Sequence, residues 1–314
     1  MNFLGVFGHV VLDYIFRVPK LPEPNTSIQI VERKQYFGGT AGNIARTAAR
    51  LGVKTAIASF VGEDFPEDYR RAFEEDGIDI ADLRVLPGHT TPTAWIFSDP
   101  EGNQVAIIDQ GPMKEGSHLE VLEHTVNASD LIHIGTGRPE YYRSVVNLAR
   151  EKGKEIAFDP SQEIHYVYSP GTFRELLKCS DIFFGNRHEF QRALAYTGVK
   201  EPPDLLQFSR VAVLTLGTEG SVIYTRRGGW RIPCIPAESE VDVTGAGDAY
   251  RAGFYAGLSR GLEPAQCGLV GASAASFCVE GQGPQTRLPS WDDAWERASR
   301  YEEGIRDVPK QKSA

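Results

Sequence analysis

Residues 240–250 read EVDVTGAGDAY, and Asp242, Thr244, Gly245, Gly247 and Asp248 all fall within seven consecutive positions. Glycine permits positive φ and close approach of the backbone to a ligand. A glycine-rich turn that feeds a helix start leaves bare N–H groups at the positive end of the helix dipole, which favours an anion. Asp248 then places a negative charge where an anion would sit. It reads either as a capping residue or as a base that takes the proton of an attacking hydroxyl. The run behind it, AYRAGFYAGLSRG (249–261), is rich in small residues, as tight packing beneath a bound nucleotide requires. Taken alone, the stretch leaves a capping turn and an anion cradle both open.

The elements around it settle the fold class. FLGVFG (3–8) is a short apolar run ending in Gly, which predicts a buried strand. GGTAGNIARTAARLG (38–52) predicts a helix that stops at Gly52, and KTAIASFVG (54–62) predicts a strand. From residue 131 onward, strand and helix patterns alternate: LIHIG, KEIAFD, DIFFGN and VAVLTLG, with helical stretches near 139–152, 171–178 and 188–196. Such alternation predicts parallel strands joined by helical crossovers. Helices are expected at about 246–260 and 264–280. Residues 17–37 carry three Pro and then an alternating Ile28, Ile30 pattern. With DLRVLP, TPTAWIFSD and NQVAIID they predict a small separate sheet, suited to a lid over the carboxyl edge of the main sheet. The expected organisation is one α/β sandwich domain over residues 1–300, with a discontinuous lid from about 14–37 and 83–110. Residues 301–314 are expected to be a polar tail.

Composition narrows the function. Of 314 residues, 41% are hydrophobic and 24% charged, as in a soluble globular chain, and the formal net charge is −9. That balance argues against nucleic acid and anionic membrane as partners. The four cysteines show no CxxC spacing and no accompanying histidines, which predicts a reducing, cytoplasmic setting without structural zinc. The apolar N-terminus contains His9 and Asp13 and lacks a basic leader region, so it reads as a strand. No uninterrupted apolar window reaches 18 residues, so no membrane span is expected.

Other candidate site residues fall at the ends of predicted strands. Asp13 follows the first strand and is placed to accept hydrogen bonds from sugar hydroxyls; otherwise it is a turn residue. Gly38, Gly39 and Asn43 offer open backbone and an amide to a substrate, or simply a loop and helix packing. Asn186 and Glu189, in GNRHEF, form either a carboxylate–amide pair for a hard cation reached through water or a capped helix start. TLGTEG (215–220) supplies Thr215, Gly217, Thr218 and Gly220 as phosphate contacts or as an ordinary turn. Gln162 in FDPSQE is suited to reading a base or a hydroxyl, and Lys114 to reaching a phosphate. The histidines are not spaced as metal ligands and read as core or surface residues. Ligands of open α/β sheets bind at strand carboxyl ends. A phosphate cradle, a base, a cation pair and hydroxyl readers assembled there describe phosphoryl transfer. There is no GxxxxGK[ST] loop, no GxSxG elbow and no GxGxxG after the first strand.

In chain order, YFGGTAGNIARTAARLG, NRHE, TLGTEG and DVTGAGD resemble the PfkB/ribokinase family of carbohydrate kinases, over about residues 3–290. HVVLDYIF, PEPNTSIQI, TPTAWIF, GAGDAYRAGF and CGLVGASAASF are most similar to its archaeal nucleoside kinases. The resemblance implies a Rossmann-like nine-stranded core, a β-lid that forms homodimers in many members, and ATP with Mg²⁺. It makes Asp248 the base and Gly245, Ala246 and Gly247 the anion hole. Asp13, Gly39 and Asn43 would hold ribose, with Gln29 and Gln162 as further substrate contacts. Asn186 and Glu189 would organise Mg²⁺ and its waters. Thr215, Gly217 and Gly220 would line the nucleotide site. Asp242 would join Gly283 in a monovalent-cation (K⁺) loop. The chain departs from the family at Val243, where Thr is usual, and at Arg251, where a small or polar residue is usual.

The leading expectation is transfer of the γ-phosphoryl of ATP to the 5′-hydroxyl of a nucleoside. The alternatives are a kinase of ribose, fructose or a phosphosugar, a member using ADP as donor, and a ligand sensor without turnover. The lid aromatics Tyr36, Trp95 and Phe97 are suited to stacking on a base, or to lid core or dimer contact.

Overall fold

A computed structural model describes residues 1–101 and 103–309. The chain opens with β1 (Asn2–Phe7), β2 (Val11–Arg17), β3 (Glu32–Gly38), α1 (Thr40–Arg50), β4 (Thr55–Val61), α2 (Glu67–Glu75) and β5 (Asp79–Val85). Strands β6 (Thr93–Ser98) and β7 (Gln104–Asp109), helix α3 (Glu123–Ala128) and strand β8 (Ser129–Ile134) follow. Next come α4 (Pro139–Glu151), β9 (Glu155–Phe158), α5 (Pro170–Lys178), β10 (Ile182–Asn186), α6 (Arg187–Thr197) and β11 (Val211–Thr215). The last elements are β12 (Ser221–Thr225), β13 (Gly228–Ile232), α7 (Ala246–Leu258), α8 (Pro264–Cys278), α9 (Trp291–Ser299) and β14 (Arg306–Val308).

The main sheet has ten strands in the order β14-β13-β12-β11-β10-β9-β8-β1-β4-β5. Seven neighbouring strands, β11 through β5 in that order, pair in parallel, and β12, β13 and β14 add antiparallel at one edge. The strands alternate their apolar residues between two faces, as a pleat buried on both sides must. Leu4, Val6, Leu131, Ala157 and Phe184 join one core with α1, α2, α7, α8 and α9. Phe7, Ile132, Ile134, Phe158 and Phe183 join the other with α3 through α6. From β1 the chain moves one way to β4 and β5, then returns to β8 beside β1 and moves the other way. The switch point therefore lies between β1 and β8, where a crevice opens at the strand ends.

The lid is a four-stranded sheet in the order β3-β2-β6-β7. Three expectations are corrected here. The core has ten strands because β14 pairs with β13 (Gly229↔Val308), so residues 306–308 of the expected tail belong to the sheet; residues 310–314 lie outside the described residues. Residues 83–85 of the expected lid close the other edge of the main sheet in β5, paired to β4. The Ile28, Ile30 alternation forms no strand. β3 begins at Glu32, opposite Arg17, and Pro19, Pro22 and Pro24 cannot donate to a ladder.

α7 and α8 cross closely because their contact is built of small residues. A Cβ added at Gly253 would lie 2.7 Å from the carbonyl oxygen of Val270 and 2.8 Å from Cα of Gly271. These are backbone atoms with nowhere to go. Gly253→Ala gains up to about 1 kcal/mol in helix propensity but overpacks by about 1–3 kcal/mol. The variant is expected to unfold at lower urea concentration than the parent; an equal or higher midpoint would show that the helices can part freely.

Candidate functional site

The strand ends on either side of the switch point open into one cavity of about 1060 Å³. At its lid side stand Val11, Asp13, Gly39, Ala94, Ile108, Gln110, Gln162, Glu163 and Tyr166. At the other end stand Asn186, Glu189, Thr215, Gly217, Thr218, Gly220, Ala272, Ser276 and Val279. The turn Gly245–Asp248 lines the cavity as well.

The turn is built by glycine geometry. Gly245 is the residue before α7 and has φ 81°, a conformation that side chains disfavour. A Cβ there would also meet Cβ of Pro284 at 2.3 Å. No side chain caps α7, so Asp248 is not the cap. The Ala246 N–H makes a long bond of 3.2 Å to the Val243 carbonyl. Among the described residues no acceptor is bonded to the N–H of Gly247 or Asp248. The helix start thus presents bare N–H groups to the cavity, with a dipole that favours an anion.

Asp248 is held from the far side. Asn43 Nδ2, on α1, donates to its Oδ2 at 2.8 Å. Gln285 Nε2 in turn donates to Asn43 Oδ1 (2.9 Å) and to the Tyr69 hydroxyl (2.8 Å), which fixes the amide. Burial pushes the Asp248 carboxyl up to about 6, with Asp159 adding to the rise while Arg251 and the Asn43 bond oppose it. A carboxylate with that value is charged at neutral pH yet close enough to accept a proton in a reaction. Asp13 is 8% exposed, and among the described residues its carboxylate makes no hydrogen bond to protein. Burial, then the charges of Asp248 and Asp242, raise it to about 7. Its free carboxylate faces the same space as the backbone of Gly39.

Arg251 is 5% exposed and pairs with Asp159, itself 1% exposed. Its guanidinium also lies 5.8 Å from the centre of the Phe184 ring. Burial works against its charge, but Asp159, Glu189 and Asp248 more than offset this and raise its pKa. Of the two expected readings of Asn186 and Glu189, the capped helix start is the one their contacts form. They form a reciprocal capping box: Asn186 Oδ1 accepts from the N–H of His188 and Glu189, while Glu189 accepts from Asn186 N (2.6 Å) and Nδ2 (2.9 Å). Both also line the cavity, and burial, then Asp159, raises Glu189 to about 7. Among the described residues no three His, Cys, Asp or Glu side chains form a direct metal cage. Excess carboxylate around one guanidinium still suits a divalent ion held mainly by water and phosphate, as Mg²⁺ prefers.

Asp242 binds two backbone N–H groups, those of Thr244 (2.9 Å) and Gly283 (3.0 Å), and so ties the turn before α7 to the loop after α8. Val243 is exposed and lines the cavity mouth.

Three expected contacts fall elsewhere. Asn43 is 5% exposed on α1 and does not line the cavity; its amide is bonded to Asp248 and Gln285. Gln29 is exposed on the loop between β2 and β3 and does not line the cavity, because the strand that would have carried it does not form. Lys114 is exposed on the short 3₁₀ segment Gly111–His118 and does not line the cavity. Tyr36, Trp95 and Phe97 also stay outside the lining; Phe97 stacks on Phe16 at 4.9 Å within the lid. The aromatic at the lid end is Tyr166. Glu163, Gln110 and His9 were missed by sequence reasoning. A Glu directly after Gln162 was the available signal for the first.

The sequence profile of the pfkB family carbohydrate kinases matches residues 1–291. The chain is 40% identical to a nucleoside kinase of Methanocaldococcus jannaschii, over 96% of this chain and 98% of that protein. It is 37% identical to a nucleoside kinase of Methanothermobacter thermautotrophicus, over 92% and 93%. The crystal structure of the M. jannaschii nucleoside kinase, described as an archaeal member of the ribokinase family, superposes with a TM-score of 0.89 at 39% identity, covering 96% of this chain and 99% of that one.

Burial raises Asp13, Glu189 and Asp248 together, so the ligand-free fold carries a cost in their charge. Between the unfolded value near 4 and the folded values of about 6 to 7, the folded chain holds more protons than the unfolded one. Their contribution to stability therefore falls as pH rises through that window. Asp248→Asn, which can still accept from Asn43, is expected to stabilise the ligand-free protein at about pH 7.5 by about 1–3 kcal/mol and to flatten the slope. Urea unfolding at about pH 5 and 7.5 checks this; a variant less stable than the parent at the higher pH would contradict it.

Proposed function

The chain belongs to the pfkB family of carbohydrate kinases, phosphotransferases with an alcohol acceptor, and on that premise we propose that it is a nucleoside kinase. It passes the γ-phosphoryl of ATP to the 5′-hydroxyl of a nucleoside. The observation that carries this reading is Asp248: a buried carboxylate raised to about 6, anchored by Asn43, one turn into a helix whose bare N–H groups face the same cavity.

The nucleoside lies at the lid end, its ribose hydroxyls bonded to the free carboxylate of Asp13 and the Gly39 backbone, while Asn43 anchors the base Asp248. Its 5′-hydroxyl meets Asp248, which takes the proton as the oxygen attacks phosphorus. ATP occupies the other end along Thr215, Gly217, Thr218 and Gly220, and its γ-phosphoryl rests on the N–H groups of the Gly245–Asp248 turn. Charge that builds on the transferring group is met by that helix end in a site closed to water. Arg251 remains tied to Asp159 and balances the carboxylates around the reaction. Mg²⁺ supplies charge neutralisation on the phosphates when bound with ATP. Glu189 and Asn186 would orient its waters, and the Asp242–Gly283 loop would hold K⁺.

On the same reading the enzyme works in the cytoplasm, where ATP is available, and pairs as a homodimer through the lid. The outer lid strand β7 leaves Val105 and Ile107 exposed at 45% and 56%. No described helix is long and apolar enough to cross a membrane.

An ADP-release assay with ATP, Mg²⁺ and a panel of nucleosides, ribose, fructose and fructose phosphates tests the proposal. Nucleosides are expected to give the highest kcat/KM. Turnover of a sugar alone, or nucleoside binding with no turnover at all, would overturn it. Asp248→Asn is expected to keep nucleoside affinity and lose about 10²–10⁴ in kcat. Activity of the parent should fall on the acid side with an apparent pKa near 6, because protonated Asp248 cannot accept. Asp242→Asn should weaken the K⁺ dependence in a K⁺ titration while leaving Mg²⁺ dependence in place.

A further inference from the structure

The lid end of the cavity finishes in a polar wall that phosphoryl transfer does not use. Gln110 directly follows lid strand β7, while Glu163 and Tyr166 belong to the 3₁₀ turn after β9, and all three line the cavity. Glu163 is 4% exposed, and both its oxygens are engaged. Oε2 accepts from the N–H of Gly137 at 2.5 Å, and Oε1 accepts from Gln110 Nε2 at 2.7 Å. An ionised carboxylate has no proton to give, so only the NH₂ end of the Gln110 carboxamide can face it. The same carboxamide also reaches the Tyr166 phenol. No protein donor is bonded to Gln110 Oε1 among the described residues.

The wall is preformed. Ser161, at the head of the same turn, holds φ 51°, a conformation costing a non-glycine residue about 1–3 kcal/mol. It is pinned there by its N–H bond to Asp159 Oδ1 at 3.1 Å. The turn that presents Glu163 is thereby tied to the buried pair of Asp159 and Arg251.

We propose that Glu163 is a positioning residue that locks the Gln110 carboxamide with its oxygen toward the substrate. Gln110 then selects nucleobases with an exocyclic amino group, as in adenosine and cytidine, over the oxo counterparts inosine and uridine. The inference rests on the nucleoside reading above. An amino group donates to Oε1. An oxo group would set two acceptors against each other and leave a buried polar atom unpaired, which sites of this kind reject strongly.

Calorimetric titration of the full chain with adenosine, inosine, cytidine and uridine tests this at about pH 8.5, above the value of about 7 to which burial raises Glu163. Wild-type protein should bind the amino member of a pair more tightly than the oxo member. In Glu163→Gln the new amide keeps accepting from Gly137 through its oxygen and turns its NH₂ on Gln110. The Gln110 carboxamide then reverses and offers N–H to the substrate. The amino-to-oxo affinity ratio should fall by about tenfold or more. A structural role alone would weaken all four ligands together and leave the ratio in place. Gln110→Ala, which leaves the turn intact, should bring the ratio near one. A wild-type ratio at or below one, or a ratio unmoved by both substitutions, overturns the proposal while nucleoside turnover by the same protein keeps the kinase reading standing. Absence of both binding and turnover with every nucleoside overturns the two together.

Discussion

Arg251 is almost wholly buried, with Asp159, Glu189 and Asp248 around it, three carboxylates against one guanidinium. It is ion-paired with Asp159, and removing one member of such a buried pair typically costs about 3–5 kcal/mol, because the partner is left charged and alone. The rest of the site depends on this arrangement. Asp159 directly follows β9 and holds the turn that carries Ser161, Gln162 and Glu163. Glu189 starts α6, and Asp248 starts α7. One cation thus sets the relative positions of three strand-end segments that must agree for two ligands to meet. The imbalance of charge has a visible effect: Asp159 adds to burial in raising the carboxyls of Glu189 and Asp248.

The sheet was legible from the chain because parallel strands buried on both faces read as continuous apolar runs, and LIHIG, DIFFGN and VAVLTLG are such runs. The centre of the site was legible for a related reason. Positive φ at Gly245 and backbone contact at Gly253 admit almost no other residue, so the glycines betray the turn and the helix crossing directly. What the sequence hid was partnership across distance. The Ile28, Ile30 alternation looked like a strand, and the family resemblance made Gln29 beside it a substrate contact, but three prolines deny that segment a ladder. Arg251 was visible as a departure, open to neutralising developing charge or to packing elsewhere, but its partner was hidden, because Asp159 is 92 positions away in sequence and only the sheet order brings them together. His9 reads as a core residue in sequence; its ring lines the cavity, with Nδ1 2.8 Å from Thr136 Oγ1 across the switch point.

The Asn186–Glu189 box shows why local alternatives need not exclude one another. A helix start needs acceptors for its first N–H groups, and a cation site needs carboxylate oxygens near a strand end. The same two side chains answer the first need in the protein alone, and their place in the cavity wall leaves them available for the second.

Asp13 sits on β2, which is a strand of the lid and not of the core. On the proposed reading, the carboxylate that holds the ribose is therefore carried by the small sheet and not by the core, so the pairing of β2 with β3 and β6 sets its aim. Substitutions there that touch no ligand would be felt as changes in how well the hydroxyls are gripped.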